Sequence, residues 1–478
     1  MLEDNYASRI SSDNRIVYLN GKKVDLILEE PVFKGAINKI KSYYRLQEEK
    51  PEVHTAIDNN GLRYAISLML PKSQEDLQKK RISYKEVSEL SYGMLGRTPD
   101  FISSAIAIIA SNSEILGTSE KANFSQNAIN YYEFCKRKNI FVAHAAINPQ
   151  IDRSKSIGEI DNKYSGVKVV RETDNGIIVS GAKMIVTLGA IADELLVFNM
   201  PGLRTGDEDF AVAFSLPVGA VGVKQICRKA LNHTELSRFD HPIASAFDEI
   251  DTYLILEEVE VPWDRVLVYK DVGMSNAFYD KTNARNHTGH QGIVRGLTKA
   301  EIVTGTAIKL AKNMGLDKFP NVLEKLGAMT TSLELMKGAI HLCEYTAKVD
   351  DKGVYSPNFL TIQALRYHFP QWYQTMVQTI QSFAAGSMLA VPHKEDFNNH
   401  NASMLLEALN GPLIDAKERC VLLNLAWDLS GDGFGQRQQS YEFYHAGDPM
   451  RIAGMHYRDY NVEICNKLTD EIICDSLI

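Results

Sequence analysis

The spacing of apolar residues changes twice along the chain, and this restricts the possible folds more than any other feature. Apolar residues recur at helical spacing up to Asn139, whereas between 141 and 271 they alternate or cluster as in β-strands. From Asn276 onward, long helical stretches return. The sequence therefore predicts an α+β protein with an N-terminal helical domain at 1–140, a β-barrel domain at 141–271 and a C-terminal helical bundle at 272–478.

Length and charge limit the functional class. The 478 residues exceed what one hydrophobic core usually holds. The net charge is -8 and no stripe of Lys or Arg is visible, which argues against a nucleic-acid partner. No apolar run approaches the roughly 18 residues that a membrane span needs, and the first residues are acidic, so we expect a cytoplasmic protein without a membrane partner.

Cysteine and histidine spacing gives no metal motif. The six cysteines are scattered without a CxxC pair, which argues against a zinc ribbon, a redox dithiol and a disulfide framework. His287 and His290 lie three residues apart before a predicted helix, but no carboxylate stands at a supporting helical spacing. We therefore predict no metal site.

A buried helix is predicted over 101–111, after a strong start signal. Thr98 suits the N-cap, Pro99 the first helical position and Asp100 the first turn. Arg97 stands just outside this helix, where a cation opposes the helix dipole. Two explanations are open: Arg97 faces a bound anion or carboxylate ligand, or it forms a salt bridge with a nearby acid.

Two loops could approach a ligand. The stretch FVAHAAINPQIDR at 141–153 stands where the helical pattern gives way to strands, and it either lines a cleft between domains or forms a turn with a hydrogen-bonded histidine. The stretch SGDGFGQR at 430–437 follows a helix, which is unlike a dinucleotide-binding fingerprint. Its glycines either let the backbone approach a ligand or simply end the helix.

Several motifs occur together in one order. They are GRTPDF (96–101), HAAINPQIDR (144–153), GAKMIVT (181–187), EEVEVPWDRV (257–266), HQGIVRGLTKAE (290–301) and YEFYHAGDP (441–449). With this set, the chain resembles the 4-hydroxyphenylacetate 3-monooxygenase oxygenase components, which are two-component flavin-dependent phenol hydroxylases. The resemblance implies an acyl-CoA dehydrogenase-like fold and assembly as a homotetramer.

The same resemblance implies a reaction. A separate NAD(P)H-flavin reductase would supply reduced FAD, which is favoured over FMN, and O2 would give a C4a-hydroperoxide. The terminal oxygen atom would then pass to the carbon ortho to a phenol hydroxyl and yield a catechol. A cation and a basic histidine near the phenol oxygen are the groups expected to promote this step.

The motifs also imply residue roles. Arg97 and His144 would be catalytic and contact the phenol oxygen, with His290 as a further catalytic histidine, and Phe101 would lie against the substrate. The residues implied at the flavin are Asn148, Pro149, Gln150, Arg153, Thr187, Arg437, Gly447, Asp448 and Pro449.

One position departs from the family pattern. Phe101 stands where a tyrosine is usual, and a phenyl ring can stack on an aromatic substrate but cannot donate a hydrogen bond. The resemblance therefore leaves the identity of the phenol open.

Other flavin-fold functions are alternatives. An acyl-CoA dehydrogenase needs a carboxylate base, and nothing in the sequence marks Glu301 or Glu334 as one. A 4-hydroxybutyryl-CoA dehydratase needs three cluster-binding cysteines, which the GRTPDF and HQGIVRGLTKAE motifs lack. A noncatalytic scaffold is the third alternative, and the joint presence of Arg97, His144 and His290 argues against it.

Overall fold

The computed structural model of the protein describes residues 1–477. Helices form most of the N-terminal part, with two short hairpins between them. The elements are α1 (Leu2–Ser12), β1 (Val17–Leu19), β2 (Lys22–Lys23), α2 (Pro31–Glu49), α3 (Pro51–His54), β3 (Thr55–Ile57), β4 (Arg63–Ala65), α4 (Gln74–Glu89), α5 (Pro99–Ser111) and α6 (Phe124–Lys138).

Helix α5 lies in the core, as its composition predicts. Every residue from Pro99 to Ala110 is buried, because this helix is apolar or small on all sides. The Thr98 hydroxyl donates to the Asp100 carboxylate at 2.5 Å, just where the helix begins. This hydrogen bond restricts the conformation of the backbone between Arg97 and the first turn of α5.

The middle part contains most of the strands. They are β5 (Val142–Ala145), β6 (Lys168–Glu172), β7 (Gly176–Thr187), β8 (Glu194–Val197), β9 (Val212–Pro217), β10 (Val223–Cys227), β11 (Asp251–Pro262) and β12 (Val266–Tyr269). They form a six-stranded sheet in the order β2-β1-β10-β11-β7-β6 and a four-stranded sheet in the order β12-β9-β8-β5.

The predicted β-barrel is wrong. A barrel needs its first and last strands to pair, whereas the outer strands of both sheets keep an unpaired edge within residues 1–477. The six-stranded sheet also includes β1 and β2 from the N-terminal segment, and β1 pairs with β10 in parallel. The strand-rich segment therefore contributes to two open sheets and does not form one closed cylinder.

The C-terminal part is mainly helical. Its elements are α7 (Val272–Lys281), α8 (Ala284–Asn313), α9 (Pro320–Tyr345), β13 (Lys348–Val349), β14 (Tyr355–Ser356), α10 (Phe359–Ala384), α11 (Ala402–Leu409), α12 (Ala416–Ser430), α13 (Gly433–Tyr444), α14 (Pro449–Asp459) and α15 (Glu463–Ser476). A second hydrophobic core, separate from that of the N-terminal and sheet regions, is centred on α8 and α10.

Two local predictions in this part are wrong. The helix expected over 402–429 is interrupted between α11 and α12, where Gly411-Pro412 breaks the helical backbone. The turn expected over 430–437 is the beginning of α13, because the Asp432 side chain accepts the Phe434 N–H at 2.8 Å and caps that helix. None of the described helices combines the length and hydropathy that crossing a membrane requires.

Candidate active site

A cavity of about 840 Å³ lies where the N-terminal helices, the sheets and the C-terminal helices meet. Its walls come from the start of α5, from β5 and the loop that follows it, and from α8, α10 and α13. The stretch 141–153 therefore lines a cleft between structural parts. Of the predicted site residues, the cavity brings together Arg97, Phe101, His144, Asn148, Pro149, Gln150, Arg153, Thr187, Arg437 and Gly447.

Arg97 supplies a cation to this cavity. Its Nη1 donates to the Tyr441 hydroxyl at 2.6 Å, and its guanidinium carbon lies 4.0 Å from the centre of the Phe101 ring. Within residues 1–477 no carboxylate lies within salt-bridge distance of this guanidinium. The salt-bridge explanation for Arg97 is thus wrong, and the cation remains available to an anionic ligand.

The backbone before α5 brings Arg97 close to Tyr441. The N–H groups of Gly96 and Arg97 both donate to Glu249 Oε1, the latter at 2.9 Å. A Cβ atom at Gly96 would lie 1.9 Å from the Tyr441 hydroxyl oxygen. Only glycine therefore permits this approach.

His144 is a neutral histidine beside the same phenyl ring. It lies on β5, with its ring centre 5.5 Å from that of Phe101 and 6.3 Å from that of Phe198. Its Nδ1 is buried and has no hydrogen-bond partner in the described chain. Burial, together with the Arg97 charge, lowers the pKa of His144 to about 3. The neutral imidazole is therefore free to accept a hydrogen bond from a ligand.

Tyr441 and His445 are cavity residues that the sequence reasoning did not assign. Their rings stack with centres 4.7 Å apart and an interplanar angle of 5°. Burial raises the pKa of Tyr441 to about 12 and lowers that of His445 to about 3, so both are neutral at physiological pH. With Arg437 they stand at i, i+4 and i+8 of α13, a signal that becomes visible once 433–444 is recognised as a helix.

Arg437 and Thr187 are bound to acids beside the cavity. Arg437 donates to Asp251 Oδ2 at 2.9 Å and to Glu249 Oε2 at 2.8 Å, and the Thr187 hydroxyl donates to Asp251 Oδ1 at 2.7 Å. Glu249 in turn holds the backbone of Arg97. Arg437 therefore connects the wall formed by Thr187 to the start of α5.

The loop after β5 is anchored by a lysine that the sequence reasoning also missed. Lys183, on β7, donates to Asn148 Oδ1 at 2.8 Å, to the Phe198 carbonyl at 2.9 Å and to Asn199 Oδ1 at 2.7 Å. Burial lowers the pKa of Lys183 to about 7. Asn148 is thereby held in place, while Gln150 and Arg153 farther along the loop are exposed.

Two family models together match almost the whole chain. The model described as 4-hydroxyphenylacetate 3-hydroxylase N terminal matches residues 3–268, and the one described as 4-hydroxyphenylacetate 3-hydroxylase C terminal matches residues 275–473. The chain belongs to the 4-hydroxyphenylacetate 3-hydroxylase family. The resemblance drawn from the motifs is confirmed.

Curated relatives agree with this family. The chain is 31% identical to the 4-hydroxyphenylacetate 3-monooxygenase oxygenase component of Geobacillus sp. (strain PA-9), over 98% of this chain and 95% of that protein. It is 32% identical to the same component from Thermus thermophilus, over 94% and 92% of the two chains.

Solved structures agree with the fold. Crystal structures of an oxygenase component of 4-hydroxyphenylacetate 3-monooxygenase, one with FAD and one with FAD and 4-hydroxyphenylacetate, match with a TM-score of 0.94 and 32% identity, over 99% of this chain and 98% of theirs. An archaeal 4-hydroxybutyryl-CoA dehydratase matches with a TM-score of 0.87 at 19% identity, over 98% and 94%, and so shares the fold. The chain therefore has the mixed helix-and-sheet, acyl-CoA dehydrogenase-like fold.

The cavity of this family member fits FAD. Its volume of about 840 Å³ lies within the range of cofactor clefts. Arg153 and Arg204 line it as exposed side chains, and neither forms a salt bridge within residues 1–477. Two free guanidinium groups suit the diphosphate of a dinucleotide.

Three predicted residues lie outside the lining of the cavity. His290 is buried on α8 and bonds to Glu344 Oε1 at 2.8 Å, whereas Gly289 and Ile293 of the same helix face the cavity. Asp448 caps α14 by accepting the N–H groups of the two residues after Pro449, which is the first residue of that helix. His290 and Asp448 thus make structural contacts in the described chain, and the roles that the resemblance implies for His290, Asp448 and Pro449 stay predictions.

The neutral histidines make stability depend on pH. His144 and His445 have a pKa of about 3 when folded, whereas an unfolded histidine titrates near 6.5. The unfolded chain therefore binds more protons in this window, and each histidine lowers the free energy of unfolding by about 1.4 kcal/mol per pH unit as the pH falls below about 6.5. Urea melts between about pH 7 and about pH 5 should show this slope, and the His445→Gln variant should lose one such contribution. An equal slope in the variant and the original chain would contradict the expectation.

Proposed function

We propose that this chain is the oxygenase component of a two-component flavin-dependent monooxygenase that ortho-hydroxylates a phenol to a catechol. The observation that carries the proposal is that a guanidinium group and an imidazole nitrogen, Arg97 and His144 Nδ1, both lie near the Phe101 ring. In the described chain the Arg97 guanidinium has no carboxylate partner and the His144 Nδ1 has no hydrogen-bond partner. A phenol placed on Phe101 would satisfy both groups.

The protein residues prepare the substrate for oxygen insertion. Reduced FAD bound in the cavity would supply two electrons and activate O2, so that one oxygen atom enters the ring and the other leaves as water. His144 Nδ1 accepts a hydrogen bond from the neutral phenol, and Arg97 stabilises the phenolate form of the substrate. The phenolate places electron density on its ortho carbon, which is the carbon to be attacked.

The apolar wall of the cavity helps this chemistry by excluding water. Ile293, Met336, Leu365 and Phe369 line it. Exclusion of water strengthens the interaction between Arg97 and a phenolate, and it protects a reactive oxygen species from hydrolysis.

The carboxylates do not support an acyl-CoA dehydrogenase. Among residues 1–477, Asp152 and Asp251 are the carboxylates that line the cavity, and Asp251 is bound by Arg437. Glu301 instead pairs with Lys85 outside it. No cysteine of the described chain lines the cavity either, so thiolates for an iron–sulfur cluster are lacking there.

Phe101 determines how the phenol is held. The Phe101→Tyr variant places a hydroxyl where the family resemblance implies one, and one added hydrogen bond should lower the KM for 4-hydroxyphenylacetate by about 2- to 10-fold. Steady-state kinetics of this variant and of Phe319→Tyr, an exposed control site, would measure the effect. Equal KM values in all three proteins would show that Phe101 does not contact the substrate.

Assembly as a homotetramer is part of the proposal. Ile464, Leu468 and Ile472 stand four residues apart on α15 and are 64%, 63% and 69% exposed, which forms an apolar stripe along one helix face. A second copy of the chain would cover this stripe.

The stripe gives an assembly prediction. The Leu468→Glu/Ile472→Glu variant should run as a smaller particle in light scattering, because charges replace the apolar contact. Asn466→Glu, on the opposite face of α15, should assemble like the original chain. A double variant with unchanged mass would place the interface elsewhere.

The hydroxylase proposal has a direct test. The purified protein is supplied with FAD, NADH and a general flavin reductase, and chromatography then measures catechols formed from 4-hydroxyphenylacetate, tyrosine and simple phenols. We expect a catechol that requires both the reductase and this chain. Peroxide with no catechol from any phenol would refute the proposal.

A further inference from the structure

Two histidines and an aspartate form a cluster away from the cavity, where the loop after β10 meets the start of α13. The His233 and His241 rings stack with centres 4.0 Å apart, and His233 Nε2 lies 2.9 Å from Asp432 Oδ2. One potential ligand atom from each of the three residues lies within 4.8 Å of the others. None of the three lines the active-site cavity of the described chain, so the hydroxylase chemistry gives them no role.

A buried carboxylate orients one of these histidines. His241 Nδ1 lies 2.6 Å from Asp428 Oδ1, and Asp428 is fully buried. The other Asp428 oxygen accepts the N–H groups of Ile243 and Ala244 at 2.8 and 2.9 Å. Because an ionised carboxylate can only accept hydrogen bonds, His241 donates from Nδ1, and in the neutral ring the lone pair is on Nε2. Proteins orient metal-binding imidazoles with such a carboxylate behind the ring.

Asp432 is also fixed while keeping one oxygen available. Its Oδ1 accepts the Phe434 N–H at 2.8 Å and caps α13, so Oδ2 is the atom that faces His233. The His233 side chain is 36% exposed and that of Asp432 is 10% exposed. Solvent thus reaches one side of the cluster and can supply a further ligand.

We propose that His233, His241 and Asp432 bind one Zn²⁺ ion, with water as the fourth ligand. Two imidazole nitrogens and a carboxylate oxygen are ligands that Zn²⁺ accepts in tetrahedral geometry. Zinc distances of about 2 Å place ligand atoms roughly 3.3 Å apart, so the most widely separated pair, at up to 4.8 Å, must close by about 1.5 Å. The ion would fasten the loop at 228–250 to α13, the helix that carries Arg437 and Tyr441.

The test is a metal titration of the full-length, chelator-treated protein. Calorimetry with Zn²⁺ and absorption spectra with Co²⁺ should show one ion per chain and the intense visible bands of tetrahedral Co²⁺. His233→Ala and Asp432→Asn should each weaken Zn²⁺ binding by more than about 10-fold, since even loss of an outer-shell partner reaches that range. Asp432→Asn keeps an N-cap residue and should therefore leave α13 folded.

His393→Ala is the matched control. His393 lies 3.5 Å from the Asp240 carboxylate and lines a cavity that His241 also lines, but it is outside the proposed ligand set. This variant should bind Zn²⁺ with the original affinity, and Zn²⁺ should raise its melting temperature as it does that of the unmodified chain. The proposal would be overturned if the original chain did not bind Zn²⁺, if His233→Ala and Asp432→Asn bound it as tightly as the original chain, or if His393→Ala lost binding.

Discussion

Replacement of Arg97 by methionine should lower kcat for hydroxylation by about 10²- to 10³-fold, the usual cost of losing one preorganised charge partner in an active site. Methionine keeps the approximate length and apolar contact with Phe101 but cannot stabilise a phenolate. The guanidinium has no carboxylate partner in the described chain, so its removal leaves no acid unpaired. We therefore expect folding and the affinity for reduced FAD to be preserved.

Two variants show whether this loss comes from the charge. Arg97→Lys retains a cation and should recover part of the lost kcat. Tyr441→Phe removes the hydroxyl that accepts from Arg97 Nη1 at 2.6 Å, so it should have a smaller effect. Rapid-mixing experiments with reduced FAD, O2 and phenol would measure the rate of hydroxylation in each variant. An Arg97→Met enzyme with unchanged kcat would remove Arg97 from the mechanism.

The largest effect on stability is expected at Glu442. This fully buried residue binds Arg295 Nη1 at 2.6 Å and Nη2 at 2.9 Å, and it also accepts from the buried Lys299. Burial alone would raise the pKa of Glu442, but the two cations hold it well below its ordinary value. Glu442→Gln leaves both cations without a counter-charge and should reduce the free energy of unfolding by about 3–5 kcal/mol.

Urea and thermal melts would measure this loss. Glu334→Gln is the control, because Glu334 pairs with Lys337 at the surface and its loss should leave the melting midpoint nearly unchanged. The Lys299→Met/Glu442→Gln double variant should regain part of the stability, since one unpaired charge is removed. A Glu442→Gln melt that overlays that of the original chain would contradict a buried ion cluster.

Much of the site could be predicted from the sequence because several motifs adjoin residues that strongly indicate where a helix or strand begins. Thr98-Pro99-Asp100 marks the start of α5 correctly, which places Arg97 and Phe101 at one end of a buried helix. His144 stands on a short strand next to a proline turn, and both face the cavity. In these segments local chemistry and tertiary structure agree.

Other features depend on information that local patterns do not contain. Glycines at 431, 433 and 435 suggest a turn, yet the Asp432 side chain caps a helix that begins there. Because this helix was not predicted, Tyr441 and His445 were not assigned to the site. His290 turns away from the cavity because adjacent helical residues differ by about 100° in direction. The six-stranded sheet includes the pairing of β1 with β10, about two hundred residues apart, which period-2 patterning cannot show.

A single-turnover reaction under ¹⁸O2 tests the central claim most directly. The protein is loaded anaerobically with reduced FAD and a phenol that it hydroxylates, or with 4-hydroxyphenylacetate, and is then mixed with ¹⁸O2. We expect one ¹⁸O atom in the new hydroxyl, ortho to the original one, with catechol yield sharply reduced in Arg97→Met and in His144→Ala but not in the exposed-site control His400→Ala. Unlabelled catechol, or oxidised flavin and peroxide alone with every phenol, would contradict the account.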